Sequence, residues 1–93
     1  MTDSARGRFT IINERGMHAR AASELVKLAS TFPCTILLSG PEEQSVSAKS
    51  VMGVLLLCGS KGTAIDVEAS GEQAQAAVDA IGELIAARFG EDQ

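Results

Sequence analysis

The sequence predicts an α/β (α+β) fold. It is an open-faced two-layer sandwich of order βαββαβα, with a four-stranded antiparallel sheet wet on one face and covered on the other by three helices. Three observations carry this expectation. Strand-like and helix-like periodicities alternate along the chain. The most regular strand segment alternates apolar and acidic residues, as an antiparallel strand with one solvated face requires. Two segments place apolar residues at i, i+3, i+4 and i+7, which gives helices a single face to bury against that sheet.

Residues 8–12 (Arg-Phe-Thr-Ile-Ile) are rich in strand formers and predict the first strand. Asn13-Glu14-Arg15-Gly16 follows as a turn. A helix is expected over 19–30, with Ala22, Leu25, Val26 and Ala29 on its buried face. Pro33 ends it, because proline disfavours a helical residue before it. A second strand is expected over 34–38, punctuated by Ser39-Gly40-Pro41, and a short third one over 44–48. A short apolar helix over 51–57 is closed by Gly59. Over 63–69, Ile65, Val67 and Ala69 face one side and Asp66 and Glu68 the other. Ser70 with Gln73 reads as a capping box for the last helix, whose apolar stripe is Ala74, Ala77, Val78, Ile81, Leu84 and Ile85.

The chain has 93 residues and 9.7 kDa, which predicts a single domain over 1–93 with a core of about 7–89 and short polar tails. Apolar residues make up 45%, enough to exclude intrinsic disorder. No apolar run approaches the ~20 residues needed to span a bilayer, so no membrane insertion is expected. The polar first eight residues do not read as a secretory signal, and Cys34 and Cys58 make no zinc pattern. These features predict a cytoplasmic protein with reduced thiols, to which no role is assigned. The net charge of −4 speaks against a general nucleic-acid binder. Residues 1–62 nevertheless carry seven basic and five acidic groups, whereas 63–93 carry one arginine against seven acidic residues. An anionic ligand therefore belongs to the first two thirds, and the last third reads as solvated acidic surface.

His18 is the only histidine. A lone histidine is ordinarily surface decoration or a satisfied core residue, but this one stands where the first helix begins. The first N–H groups of a helix lack internal partners and sit at the positive end of its dipole, which makes a ready anion site. Arg20 adds a permanent cation able to grip phosphate oxygens. A helix start, one imidazole and one arginine together form a device for holding phosphate on nitrogen. Zinc would need three or four ligands, and no second histidine exists.

Gly16-Met17-His18-Ala19-Arg20, Lys49-Ser50-Val51-Met52-Gly53-Val54 and Ser60-Lys61-Gly62, in that order, resemble the histidine-containing phosphocarrier (HPr) family of the phosphoenolpyruvate-dependent phosphotransferase system. The resemblance covers about residues 7–89. It implies that His18 accepts a phosphoryl group at Nδ1 from enzyme I and passes it to a IIA-type acceptor. Phosphoenolpyruvate would be the ultimate donor, no cofactor or metal would be needed, and the chain would act as a monomeric carrier rather than a turnover enzyme. Arg20 and the backbone of Ala19 and Arg20 would hold the phosphate. Sugar-uptake and nitrogen-linked branches use similar carriers. One departure is Ala21, where the family commonly has proline; alanine loosens the helix entry slightly and restores an N–H.

The 51–57 helix is apolar nearly all round, with Val51, Met52 and Leu55 on one side and Val54, Leu57 and Cys58 toward another. It is either simply well buried or an exposed docking patch. The resemblance favours docking, with Met17, Ala21, Lys27, Lys49, Val51, Met52 and Leu55 as the contact residues and Arg20, Lys27 and Lys49 steering acidic partners. Ser50 suits the N-cap of that helix. In part of the family this serine is the target of a kinase/phosphorylase, and a phosphate there would repel acidic partners.

Two other readings come from different classes. Gly59-Ser60-Lys61-Gly62 is a G-x-x-G loop of the kind that KH domains use to clamp nucleic acid. The element order also fits a ferredoxin-like regulatory domain. Neither gives a reason for the pair His18 and Arg20 at a helix start.

Overall fold

A computed structural model describes residues 3–42, 44–57 and 59–93. The elements are β1 (Ser4–Thr10), α1 (Ala19–Ala29), β2 (Thr35–Ser39), β3 (Ser45–Ser47), α2 (Val51–Leu56), β4 (Ala64–Ser70) and α3 (Ala74–Ala86), followed by a 3-10 turn, Arg88–Gly90. The order is βαββαβα, as the periodicities predict. The sheet runs β1-β4-β2-β3 and every neighbouring pair is antiparallel. β4 lies between β1 and β2, so neither helical crossover joins two hydrogen-bonded neighbours.

Alternation decides the two faces. Ile65, Val67 and Ala69 of β4 are buried beneath the helices, as are Ala5 of β1 and Ile36 and Leu38 of β2. Asp66 and Glu68 point to the open face, where Arg8 and Arg6 of β1 meet them directly across the strand pair. Arg8 Nε donates to Asp66 Oδ1 over 2.7 Å, and the guanidinium holds that carboxyl below its usual range. The helical side closes the core with Ala22, Leu25 and Ala29 of α1, Val54 of α2, and Ala77, Val78, Ile81 and Ile85 of α3. Cys34 is buried and free. Cys58 lies outside the described residues.

β1 and the start of α3 depart furthest from the sequence reading. β1 starts at Ser4 and ends at Thr10, because its whole length pairs with β4, from Ser4 opposite Ser70 to Thr10 opposite Ala64. The capping box does not form. Ser70 is paired on both sides, with Ser4 and with Thr35, so it finishes β4 instead of opening a helix. The chain then turns through Gly71 (φ 116°) and Gln73 (φ 67°), and α3 begins at Ala74 with no side-chain cap. Beyond α3 the 3-10 turn carries the chain back to α1, anchored by the buried Phe89 in a left-handed conformation.

Candidate functional site

The turn at 13–16 is built to hold His18 still. The buried Asn13 side chain donates through Nδ2 to the Gly16 carbonyl over 2.9 Å, closing the turn from inside. Gly16 has φ 66°, and a Cβ there would stand 2.6 Å from the Gly59 carbonyl oxygen, so only glycine permits this approach. Met17 N–H donates to that same carbonyl over 2.7 Å. Gly62 N–H and Thr63 O clasp Ile11. The loop 59–63 is thus spent on clamping the site turn, and its Lys61 ammonium is held at 2.7 Å by Glu14. That is a structural use for the G-x-x-G segment, which here joins a helix to a strand and not two helices as in KH domains.

His18 is the N-cap of α1, with extended backbone (φ −86°, ψ 177°). Its carbonyl accepts from Ala22 N–H over 2.8 Å, the first full helical bond. Its side chain caps the helix as well: Arg20 N–H donates to Nδ1 over 3.3 Å. A ring nitrogen that accepts carries a lone pair, so this contact requires the ring proton to be on Nε2. Nε2 in turn meets Oε2 of Glu91, 73 residues along the chain. The other oxygen of Glu91, Oε1, accepts from Asn13 Nδ2 over 2.9 Å. The Asn13 bond, opposed by partial burial and helped by the imidazole contact, holds the Glu91 carboxyl below the usual carboxylate range. The ring keeps about a quarter of its side-chain surface exposed.

An open hollow of about 420 Å³ is lined by Arg15, Arg20 and residues Gly90 to Gln93, among them Glu91, which meets the ring. Among the described residues the guanidinium groups of Arg15 and Arg20 form no ion pair. Both charges are available to an incoming anion. No group of three or more metal-ligating side chains occurs among the described residues.

The expected docking residues divide. Met17 and Ala21 are 5% and 1% exposed; they belong to the core and offer a partner no surface. Lys27 and Lys49 are exposed, with Lys49 Nζ donating to the Phe32 carbonyl over 2.7 Å. Ser50 caps α2, its Oγ accepting from Gly53 N–H over 3.1 Å. Val51 and Met52 face outward, Met52 at 71%. Leu55 does not: it is half-buried against the core, and the exposed apolar residue of that turn is Leu56, at 64%. The sequence reading missed Asn13, Leu56 and Glu91. Leu56 was signalled by its i+4 spacing from Met52, whereas nothing local marks Glu91.

The sheet order, the one-sided helical layer and a part-exposed histidine that caps the first helix define an open-faced two-layer sandwich with an imidazole at a helix start. A family model described as the PTS HPr component phosphorylation site matches residues 5–87. The chain is 42% identical over 85 residues to the phosphocarrier protein HPr of Pseudomonas aeruginosa, covering 91% of this chain and 94% of that one. It is equally similar, 42% over 85 residues with the same coverages, to the phosphocarrier protein NPr of Proteus mirabilis. A solved structure of HPr-C-His from Thermoanaerobacter tengcongensis superposes with a TM-score of 0.90 at 34% identity, covering 96% of this chain and 99% of that one. The chain belongs to the HPr phosphocarrier family.

No helix among the described residues is long and apolar enough to cross a membrane.

Proposed function

We propose that His18 is the phosphoryl acceptor, taking the group at Nδ1 from phosphorylated enzyme I and passing it to a IIA-type protein, with phosphoenolpyruvate as the ultimate donor. The observation that carries this reading is the Nδ1 lone pair standing at the start of α1, 3.3 Å from Arg20 N–H, with Arg15 and Arg20 lining the same hollow as Glu91, the carboxylate that meets the ring. In the forward step the lone pair attacks phosphorus, the bond from phosphorus to the donor breaks, and its electron pair stays with the donor. Arg20 N–H then turns from the ring nitrogen to a phosphoryl oxygen. The Arg20 guanidinium and the helix dipole, together with the backbone N–H groups of Ala19 and Arg20, offset the added charge. The ring retains its Nε2 proton, and the N-phosphoryl ring, carrying positive charge, is a good leaving group for the next acceptor. No cofactor or metal takes part within this chain.

The carrier works as a monomer in the cytoplasm, and its partner surface is the outward side of α2 with the start of α1. Ser50 is a regulatory phosphorylation site for a kinase/phosphorylase. A phosphate there adds about two negative charges next to Val51 and Met52 and disfavours acidic partners.

Intact mass after incubation with enzyme I and phosphoenolpyruvate tests the main reading. One added phosphoryl group, labile in acid and stable in alkali, is expected. Loss of that mass in His18→Ala is expected too, and undiminished acid-labile label in the variant would refute the assignment.

A further inference from the structure

We infer that Glu91 is a positioning residue for His18: its carboxylate, aimed by the buried Asn13, keeps the ring proton on Nε2 and so keeps the Nδ1 lone pair free for phosphorus. The inference rests on His18 being the phosphoryl acceptor. Which imidazole nitrogen carries the proton is set by the hydrogen bond that the other makes. Here both nitrogens give the same answer. Nδ1 accepts from Arg20 N–H, and Nε2 faces a carboxylate, which can only accept. The carboxylate is not free to turn away. Asn13 Nδ2 holds Oε1, and the same nitrogen is tied to the Gly16 carbonyl, so the aim of Glu91 is referred to the turn that carries His18. The amide cannot be reversed, because Asn13 Oδ1 would then confront the Gly16 carbonyl and the Glu91 carboxylate, both acceptors.

The same contact serves the transfer itself. When Nδ1 takes phosphorus, positive charge spreads over the ring to Nε2–H, where Glu91 balances it. Phosphorus is bonded at one nitrogen and the carboxylate sits at the other, so the two anions do not compete for one edge of the ring. The 3-10 turn supplies the placement: Phe89 is buried, and Glu91 follows it by two residues.

The arrangement makes glutamine a worse replacement than alanine. In Glu91→Gln, Asn13 Nδ2 draws the amide oxygen toward itself. The amide nitrogen, a donor, is then left facing Nε2, where it outcompetes the long 3.3 Å Arg20 N–H contact at Nδ1 and draws the ring proton to the attacking nitrogen. In Glu91→Ala only the long Arg20 N–H contact at Nδ1 still favours the Nε2–H form, so the preference weakens and both tautomers are populated. The experiment is ¹⁵N NMR of the His18 ring in the free protein, with the initial rate of phosphorylation by enzyme I for wild type, Glu91→Ala and Glu91→Gln. The expected tautomers are mainly Nε2–H, mixed, and mainly Nδ1–H. The expected rates fall in that order, with roughly a tenfold loss in the glutamine variant. A role that was only structural would rank glutamine above alanine. Equal Nε2–H populations in all three proteins, or a glutamine variant faster than the alanine one, would overturn the inference. The tautomer is measured without phosphorylation. A wild-type protein that enzyme I fails to phosphorylate would therefore count against the acceptor reading, while the ring-proton populations would still decide the role of Glu91.

Discussion

Asn13 and Glu91, 78 positions apart, are joined by a 2.9 Å hydrogen bond whose donor also closes the turn in front of His18. One buried amide nitrogen therefore ties the end of the chain to the site turn. In Asn13→Ala the Gly16 carbonyl and Glu91 both lose their partner, while the Asn13 Oδ1 that now lies buried without one disappears. The loss outweighs the relief, and a destabilisation of about 1–2 kcal/mol is expected. Urea unfolding of the variant checks it. A stability equal to wild type would mean that the turn is held by its backbone bonds alone.

The Glu91 contact also has a pH signature. The carboxyl is held below its ordinary value of 4.5 in the folded chain. A group whose folded pKa is depressed contributes stability that is fully present above the unfolded value and is lost as pH falls through the folded one. The stability gap between wild type and Glu91→Gln should therefore narrow as pH falls from neutral to below 4. Glu14 and Asp66 are lowered as well, by Lys61 and Arg8, but they titrate alike in both proteins and cancel in the comparison. Urea midpoints for the two proteins across that pH range make the test, and a constant gap would remove the carboxylate's charge from the account.

Gly82 presents a third case. It lies inside α3, where alanine is normally the better helix former by about 1 kcal/mol. A Cβ at Gly82 would stand 2.4 Å from Cε1 of the Phe9 ring, and one at Gly7 would meet the same ring at 2.8 Å. The ring fills the space that the two glycines leave between β1 and α3. Gly82→Ala is thus expected to destabilise by about 1–3 kcal/mol despite its helix propensity. Adding Phe9→Leu should recover part of the loss, as thermal melts of the single and double variants would show.

These residues also mark what a linear reading can reach. Ile65, Val67 and Ala69 declare their face through period-two alternation, and His18 and Arg20 lie in one short segment, so their meeting at a helix start is local information. The capping box at Ser70 failed because its backbone was already claimed by Ser4 and Thr35, partners far away in sequence. Glu91 looked like one more surface acid, since only the closed fold brings it to the imidazole. In α2 the periodicity was compatible with more than one rotation about the axis, and packing against the core chose the one that buries Val54, half-buries Leu55 and exposes Leu56. Met17 and Ala21 lie within three residues of His18 in sequence, yet the turn and the helix direct both side chains inward.

The outward side of α2 yields the last prediction. Met52 and Leu56 lie one helical turn apart, both more than 60% exposed, and Val51 adjoins them. Neither Met52 nor Leu56 holds the core together, so Met52→Asp and Leu56→Asp should each leave stability within about 0.5 kcal/mol of wild type. If the patch docks the donor and the acceptor, each variant slows phosphoryl transfer about tenfold in both half-reactions, because a charge placed in a desolvated apolar contact costs on the order of 1–3 kcal/mol. Leu55→Asp is the contrasting change: its half-buried side chain packs against the core, and there the loss should appear in the urea midpoint. Stopped transfer assays with enzyme I and a IIA protein, run beside unfolding curves for all three variants, separate the two effects. Transfer at the wild-type rate in both Met52→Asp and Leu56→Asp would take this face of α2 out of the docking surface.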